Sequence, residues 1–547
     1  MKEIIKDSLK TIESICGKYD LHTLSEKMSK VQTELDEFVL KILFVGSFSA
    51  GKSALINAML QRELLEENQR PETAIASELL FDDKEYIEAV GETKCDKYSI
   101  EDAKQIDLNQ YSHLVWHISS PILKDLDGSV IVDMPGFNSG IKEHNKAIFQ
   151  YVGNGNAYIL VIDCEDGGIK QSEVSFINEI KSYNNNLALA ITKADLKMPK
   201  DVEQIKSRII ADAENLFIGS VPVETVSREF DDTPQKMKSL IQSFDRNVIL
   251  LNQFRPIVDE IGVKCIQSLT TYKKSLNLDV SEFDNRIKQH EKEKKHLSEK
   301  LRKEQKKLEN DFNNHVTPSI LADVQNALYQ NTDTLLSAMK SGGNNFSMAV
   351  NNILRPVLIN STQKYVDQSF EQFIQQIDIG QNVFDSSIEN IASESAEKFQ
   401  KASGALSKIV QTSDKFNGLY KAVTTVLSVA TSFVAPWLEL IIIFLPDILK
   451  LFSKGTQESG MRRKLTEEII PQICTQLRPE IENSLVQMKD EMLEQVNEQF
   501  AELIDSEVEA LETAKKEKAD LSAKNEDNLK EVEKDIEDVK KAMDALH

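Results

Sequence analysis

The residues with the clearest chemical purpose form an octet that fits the phosphate-binding pattern G-x-x-x-x-G-K-[ST]. In order they are Gly46, Ser47, Phe48, Ser49, Ala50, Gly51, Lys52 and Ser53. The apolar residues 41–45 predict a strand before this loop, and residues 54–60 predict a helix after it. In such an arrangement the loop N–H groups face a phosphate, the lysine reaches the β and γ oxygens, and the last serine can ligate Mg²⁺. The octet predicts a nucleotide site rather than an ordinary glycine-containing turn.

Two tetrapeptides further along the chain could complete this site. Asp133-Met134-Pro135-Gly136 ends an apolar run, so Asp133 could hold Mg²⁺ through water while the Gly136 N–H meets a γ-phosphate. Thr192-Lys193-Ala194-Asp195 ends another run. The Asp195 carboxylate is suited to accept both N–H groups of a guanine edge, and the Lys193 stem can cover the base. Each tetrapeptide is common by itself, but their order after the octet argues against a chance occurrence.

Together these residues resemble the GTPase domain of the dynamin family, whose loop has the form G-S-x-S-x-G-K-S. The likeness is specific over about residues 40–230, and beyond them it extends only to architecture. It implies that Thr73, in Arg70-Pro71-Glu72-Thr73, ligates Mg²⁺ and closes over the γ-phosphate. It also implies that Ser49 helps to hold a monovalent cation, K⁺ or Na⁺. Ser227 and Arg228 are the candidates for the base-contacting segment that follows the last strand.

The predicted site therefore has three sets of residues. Catalytic roles are assigned to Ser49, Lys52 and Thr73, and Mg²⁺ ligation to Ser53, Thr73 and Asp133. GTP or GDP would be contacted by Gly46, Ser47, Phe48, Ser49, Ala50, Gly51, Lys52, Ser53, Ala54, Asp133, Gly136, Thr192, Lys193, Asp195, Ser227 and Arg228.

Phe48 departs from the family pattern. Eukaryotic dynamins place a glutamine there that helps to orient the attacking water, and phenylalanine has no hydrogen-bonding group. The departure leaves two alternatives: either the backbone or another residue positions the water, or hydrolysis is slow.

Composition narrows the class of protein. A chain of 547 residues predicts three or four domains, and a net charge of −23 argues against nucleic-acid binding. The five cysteines are far apart in sequence and form no C-x-x-C pair, so neither a disulfide framework nor a zinc site is indicated and a reducing compartment is expected. Charges within residues 1–7 argue against a signal peptide.

Helical periodicity dominates outside the α/β segment. An apolar stripe, interrupted near Gly17, predicts amphipathic helices through Ile5, Leu9, Ile12, Cys16, Leu24, Met28, Val31, Leu35 and Phe38. Charged helices of coiled-coil character at residues 283–312 and 521–546 suggest an antiparallel trunk. The predicted fold is an α/β GTPase domain with a Ras-like P-loop core, followed by a long all-α neck and trunk.

One segment of the helical part is unusually apolar. Residues 422–438 carry no charge, Pro436 and Trp437 divide the segment, and a second apolar run follows Glu439 to Pro446. Three interpretations compete: a paddle hairpin whose tip enters a membrane, a buried core hairpin, and a transmembrane helix. Flanking Lys and Arg residues and a tryptophan suited to the interface favour the paddle, while Glu439 and Pro436 make a full span costly.

Position in the chain also favours the paddle, because dynamin relatives carry a lipid-binding element at the trunk end farthest from the GTPase domain. The resemblance is to bacterial dynamin-like proteins, among them compact LeoA-type members. The expected divisions are neck helices (1–38), GTPase domain (39–245), first arm of neck and trunk (246–415), paddle (416–455), and return arm with a carboxy-terminal neck helix (456–547).

The functional prediction is a cytoplasmic mechanochemical GTPase, peripherally associated with the inner face of the cell membrane. It would dimerise or assemble further through its heads and helices and remodel membrane lipid through residues 416–455. The alternative is a GTP-regulated switch or scaffold with no lipid insertion. An ATP-driven motor of the ABC or SMC type is disfavoured by Thr192-Lys193-Ala194-Asp195.

Overall fold

The computed structural model describes residues 1–66, 75–91, 93–126, 128–136, 155–180, 186–216, 220–276, 280–376, Trp437, 458–520 and 525–547. Within them, one mixed β-sheet with flanking helices is followed by long helices. This architecture confirms the predicted α/β core with a largely helical remainder.

The sheet has nine strands in the order β4-β3-β5-β2-β6-β1-β7-β8-β9. The strands are β1 (Lys41–Gly46), β2 (Ala76–Phe81), β3 (Tyr86–Val90), β4 (Cys95–Tyr98), β5 (His113–Ile118), β6 (Val130–Asp133), β7 (Ala157–Asp163), β8 (Leu187–Thr192) and β9 (Val223–Thr225). Strands β6, β1, β7, β8 and β9 run parallel, whereas β2 pairs antiparallel with β6 and β3 pairs antiparallel with β4 and β5. The carboxyl ends of the parallel strands share one edge, where ligands of open α/β sheets bind.

Alternate residues of the central strand enter two different cores. Leu43 and Val45 pack on one face of the sheet with residues of two flanking helices, such as Ile177 and Ile209. Ile42 and Phe44 belong to a core on the other face that continues into the helices before and after the sheet. The α/β domain and the neighbouring helices therefore share one continuous apolar interior.

The helices beside and before the sheet are short. They are α1 (Lys2–Lys18), α2 (His22–Glu37), α3 (Lys52–Leu60), α4 (Pro121–Asp125), α5 (Gln171–Ile180), α6 (Pro199–Leu216) and α7 (Thr233–Gln242). The predicted amino-terminal stripe is confirmed, since its nine apolar residues are all buried, although α1 ends one residue after Gly17. The four 3₁₀ turns described are Ile100–Gln105, Leu108–Gln110, Cys164–Asp166 and Ala194–Leu196.

Long helices build the rest of the described chain. They are α8 (Arg246–Ser275), α9 (Val280–Asp311), α10 (Thr317–Gln330), α11 (Thr332–Ser341), α12 (Gly343–Gln376), α13 (Glu458–Lys464), α14 (Ile470–Asp520) and α15 (Asn525–Asp544), with π turns at Phe312–Val316 and Leu465–Ile469. Helices α1, α2, α8, α15 and the end of α14 form a bundle that we call the neck. Helices α9 to α13 and the beginning of α14 surround a second core that we call the trunk.

Helix α14 joins these two bundles. Its 51 residues span about 75 Å at 1.5 Å per residue. Ile473 and Met488 lie in the trunk core, while Ala510 and Leu511 lie in the neck core. The helix that packs along α9 is α14, whereas the final helix α15 packs against α1 and α8. The sequence suggested that residues 283–312 pair with residues 521–546, but the structure pairs them with α14. Both α14 and α15 are amphipathic, and periodicity alone does not select between them.

Most of the predicted paddle, residues 416–455, lies outside the described residues. Trp437 is described, and it is fully buried in the trunk core. Its Nε1–H donates to the Ser484 Oγ at 2.8 Å and to the Glu480 carbonyl at 3.2 Å. In this structure Trp437 therefore packs against α14, where its one polar atom is hydrogen-bonded.

Across the part of the chain that the structure describes, no helix combines the length and apolarity needed to cross a bilayer.

Candidate functional site

Residues 46–53 form a tight loop between β1 and α3. A Cβ at Gly46 would lie 2.5 Å from the Val161 carbonyl oxygen, so only glycine allows β1 and β7 to approach this closely. Gly51 has φ +86° and Ser49 has φ +67°. A left-handed backbone is unfavourable for serine, and it persists where the surrounding structure fixes it. The loop is thus held in the shape that directs N–H groups inward.

Lys52 is the first residue of α3 and is almost fully buried. Its Nζ donates to the carbonyl oxygens of Gly46 and Ser47, both at 3.1 Å. Burial lowers the pKa of Lys52 to about 8, and the Asp133 carboxylate opposes the shift. A phosphate beside this ammonium would supply the negative charge that its surroundings only partly provide.

Ser53 and Asp133 meet although they lie on different elements. The Ser53 Oγ donates to Asp133 Oδ2 at 2.6 Å, while Asp133 Oδ1 is buried with no hydrogen-bond partner among the described residues. Desolvation raises the pKa of Asp133 to about 6, with the Ser53 hydroxyl and Lys52 opposing it. An orphaned carboxylate oxygen beside a serine hydroxyl fits a hard cation, so these residues are compatible with Mg²⁺.

Gly136, the third glycine of the site, packs against the phosphate loop. A Cβ at Gly136 would lie 2.6 Å from the Phe48 Cα and 2.8 Å from its backbone nitrogen. Backbone of the Asp133-to-Gly136 turn therefore reaches the phosphate loop only because position 136 lacks a side chain. Phe48 has 43 % of its surface exposed beside this contact.

The third motif lies on the same edge of the sheet. The Thr192 Oγ1 donates to the Ala50 carbonyl at 2.6 Å, which ties the end of β8 to the phosphate loop. Asp195 Oδ1 accepts from the Ser227 Oγ at 2.5 Å. Ser227 thus lies beside the proposed guanine acceptor, whereas the neighbouring Arg228 is exposed and pairs with Glu229.

Two acidic residues at this edge were missed at the level of sequence. Asp163 ends β7 and its Oδ2 lies 2.6 Å from the Lys193 Nζ. Glu173 is fully buried and accepts from the Lys170 N–H and, at 3.4 Å, from the Ser47 Oγ. Desolvation raises the pKa of Glu173 to about 7. The apolar run 157–162 ending in an aspartate was a usable signal for Asp163, whereas nothing local marks Glu173 as a neighbour of the loop.

The proposed switch threonine, Thr73, lies outside the described residues, and so does the segment 137–154 after Gly136. The other predicted site residues from Gly46 to Ala54, and Asp133, Gly136, Thr192, Lys193, Asp195 and Ser227, lie on the loops and element ends at the carboxyl edge of the sheet.

Residues 42–195 match the model of the dynamin family. The α/β domain is a dynamin-family GTPase domain. This confirms, for that domain, the resemblance carried by residues 46–53.

Relatives of the GTPase domain include the Arabidopsis thaliana "Probable transmembrane GTPase FZO-like, chloroplastic", which is 26 % identical over 183 residues covering 34 % of this chain and 18 % of the relative. "Dynamin-like protein 1" of Campylobacter jejuni is 23 % identical over 356 residues, covering 52 % of this chain and 48 % of that protein. The chain thus spans about half, or less, of these relatives. Among solved structures, the LeoA bacterial dynamin GTPase from ETEC is 12 % identical, with full coverage of both chains and a TM-score of 0.31.

Proposed function

We propose that this protein binds and hydrolyses GTP in a Mg²⁺-dependent cycle and converts that cycle into movement of its helical part. The observation that carries the proposal is the convergence of three motifs at one sheet edge. Lys52 lies in the phosphate loop, Asp133 accepts from Ser53 in that loop, and Thr192 donates to the Ala50 carbonyl of the loop. We call residues 192–195 the base-recognition segment.

Each residue has a role that follows from its chemistry. Lys52 would neutralise the β and γ oxygens, and Asp195 would accept the guanine N–H groups beside Ser227. Ser53 and Asp133, with Thr73, would hold Mg²⁺, which when bound neutralises charge on the β and γ oxygens. Ser49 would hold a monovalent cation, K⁺ or Na⁺. Phe48 offers no side-chain hydrogen bond to the attacking water, so a backbone group or another residue would orient it.

A route for the movement is present in the packing. The sheet face that contains Phe44 shares its core with neck residues such as Ile261 of α8. Helix α14 then runs from the neck into the trunk without interruption. The trunk also touches the GTPase domain directly, since the Arg355 guanidinium of α12 lies 5.9 Å from the Phe176 ring centroid of α5. A conformational change at the nucleotide site would therefore be transmitted to both the neck and the trunk.

The membrane part of the proposal rests on sequence. Residues 422–446 are apolar and flanked by basic residues, which suits insertion into an anionic surface at the inner face of the cell membrane. Homodimers or larger assemblies through the GTPase heads would bring two such segments to one membrane.

A second function is favoured by one observation. Trp437, in the middle of the apolar segment, is buried in the trunk with its indole N–H hydrogen-bonded to Ser484. A GTP-regulated switch or scaffold that keeps this segment packed against its own trunk would need no lipid.

The two functions differ in their response to lipid. Phosphate release from GTP would be measured with and without liposomes of anionic composition, using Lys52→Ala as the blank. The mechanochemical GTPase predicts turnover that rises with liposomes, and the switch predicts slow turnover that liposomes leave unchanged. ATP hydrolysis at the GTP rate would reject the guanine assignment of both.

The apolar segment can be tested by placing a charge in it. Ile442→Asp should lower liposome co-sedimentation while soluble yield and nucleotide binding persist, since a charge in hydrocarbon costs about 2.5 to 3.5 kcal/mol. A segment packed inside the trunk predicts the opposite result, because an unpaired buried charge destabilises the fold. Unchanged lipid binding with a lowered melting temperature would favour the switch.

A further inference from the structure

Asp163 holds a fixed place beside the base-recognition segment. It ends β7 and pairs in register with Thr192 of β8. Its Oδ1 accepts from the Glu165 N–H at 2.9 Å, and its Oδ2 lies 2.6 Å from the Lys193 Nζ. Only 12 % of the Asp163 side chain is exposed. The hydrogen bond from the Glu165 N–H fixes the orientation of the carboxylate, and its second oxygen can then orient Lys193.

Lys193 needs such a partner. Its backbone has φ +54°, a left-handed conformation that is unfavourable for a residue with a long side chain. Strain of this kind persists where surrounding contacts fix the residue. The ion pair anchors the ammonium end, so the stem between the backbone and Asp163 has a defined direction. Asp195 lies two residues further on in the same turn, so the conformation of Lys193 also determines the position of Asp195.

We propose that Asp163 is a positioning residue for the nucleotide base: through Lys193 it sets the geometry of the base-recognition segment. The inference rests on the proposed function, since it assigns a specificity role within the same site. Among the described residues, the Asp163 carboxylate accepts from Glu165 and Lys193, and neither lies in the phosphate loop, so its loss should weaken base binding without slowing the chemical step.

The test measures GDP affinity and the kinetics of GTP turnover in full-length Asp163→Asn. We expect Kd for GDP and KM for GTP to rise about tenfold, as for loss of one charge-assisted hydrogen bond, with kcat unchanged. Asp163→Glu should recover most of the affinity. The matched control is Asp166→Asn, because Asp166 lies in the same short turn but pairs with Lys170, at 2.6 Å, whereas Lys193 pairs with Asp163.

A double-mutant cycle separates positioning from simple destabilisation. In a Lys193→Met background, Asp163→Asn should cost no further affinity, whereas an effect through folding would add to that of Lys193→Met. Unchanged affinity in Asp163→Asn, an equal loss in Asp166→Asn, or full additivity would overturn the inference. If the wild-type protein itself fails to bind GDP, the proposed function fails instead.

The neck contains a second, independent feature. Cys16 of α1 and Cys265 of α8 are fully buried, and their sulfur atoms lie 3.6 Å apart. The two residues are separated by 249 positions in sequence, so spacing gave no sign of the pair. The hydrogen bond with Cys16, followed by burial, holds the pKa of Cys265 well above its usual range. Cys265 is therefore a poor nucleophile while the neck is closed, and burial shields the Cys16 sulfur from solvent.

We infer that this pair is a dithiol that hydrogen peroxide converts into a disulfide when the neck loosens enough to admit the oxidant, joining α1 to α8. The two thiols lose two protons and two electrons, the peroxide O–O bond is reduced to two waters, and one S–S bond forms. The sulfurs need only approach to about 2.05 Å, and the bond would fix two helices of the bundle to each other. Redox control of neck movement follows, whichever function the GTPase serves.

The test treats the full-length protein with hydrogen peroxide, with and without a low concentration of urea that loosens the neck. Peptide mapping under non-reducing conditions should find a Cys16–Cys265 crosslink that forms faster in urea and is removed by dithiothreitol, together with a raised melting temperature. Cys16→Ser and Cys265→Ser should each lack the crosslink and the shift. Sulfinic acids at these positions, or no crosslink in either condition, would overturn the inference.

Discussion

Buried charges occur both in the nucleotide site and in the neck, but their surroundings balance them differently. In the site, desolvation exceeds the available partners, so the pKa of Lys52 falls to about 8 and that of Asp133 rises to about 6. In the neck, Lys27 lies 2.6 Å from carboxylate oxygens of both Glu260 and Glu502. Desolvation acts to lower the pKa of Lys27, yet these carboxylates raise it overall.

The direction of the shift separates two uses of a buried charge. In the neck, the pKa shifts of Lys27 and Glu502 favour their ionised forms, as expected of an ion cluster that also includes Lys264. Site charges are driven toward neutrality, as expected of groups whose counter-charges arrive with a ligand. The first kind should matter for stability and the second for turnover.

The strongest test of this division is Lys52→Ala. Removing the ammonium that faces the β and γ oxygens should lower the rate of phosphate release from GTP by at least about 10³-fold. Its melting temperature should stay close to that of the wild type. The matched control is Lys41→Ala, at the other end of β1, where the lysine pairs with Glu78 at 2.6 Å. Wild-type turnover in Lys52→Ala would show that the loop does not bind phosphate.

Glu260→Gln should have the reverse profile. Glu260 is buried between Lys27 and Lys264, and removing its charge leaves two lysines short of a partner. We expect the free energy of unfolding to fall by about 3 kcal/mol, measured by urea denaturation, while GDP affinity stays within about twofold. Glu531→Gln is the control, because it removes a surface carboxylate from the exposed pair with Lys18. Equal destabilisation by both variants would remove the distinction.

The nucleotide site and the helical part also differ in how much of each the sequence could predict. The phosphate loop, Asp133-to-Gly136 and Thr192-to-Asp195 were readable because each motif is contiguous and each follows an apolar strand. Binding a phosphate also requires particular side chains at fixed spacings in the loop, so the chemistry can be recognised from a short stretch of sequence. The structure then adds the contacts between motifs, such as Ser53 with Asp133 and Thr192 with Ala50.

The helical part shows the opposite case. Periodicity predicted the buried faces of α1 and α2, but it gave no means of choosing α14 over α15 as the partner of α9. The Lys27 cluster and the Cys16–Cys265 pair join segments more than 200 residues apart. Contacts of this kind depend on which helices meet, which amphipathic patterns alone do not specify. Glu173 was missed for the same reason, since its neighbour Ser47 lies on another element.

Base choice provides a finer test within the site. Asp195→Asn should weaken GDP binding by about 10- to 100-fold, since a lost charge-assisted hydrogen bond is worth about 1.5 to 3 kcal/mol. Xanthine nucleotides should be partly admitted, because an amide can donate to the 2-oxo group. Affinities for GDP and XDP would be measured by calorimetry, with the exposed Asp201→Asn as control. Unchanged GDP affinity would place the base elsewhere on the sheet edge.

The smallest expected effect concerns the response of the neck to acid. Desolvation acts to raise the pKa of Glu502, but Lys264 and Lys27 lower it overall from the ordinary value of 4.5. A carboxylate with a lowered pKa stabilises the folded state above its unfolded pKa and loses that contribution as pH falls through the folded value. Glu502→Gln should therefore be less stable than the wild type at pH 7, by about 1 kcal/mol.

That difference should shrink steadily as the pH falls below about 4.5, because the unfolded carboxylate is protonated there while the folded one is protonated only at its lower pKa. Urea denaturation at several pH values would measure it, with Glu531→Gln again giving the behaviour of an exposed carboxylate. A difference independent of pH would mean that Glu502 contributes through packing or hydrogen bonding rather than charge. The charge of Glu502 would then not stabilise the neck, and the contrast drawn between charges in the neck and charges in the nucleotide site would fail.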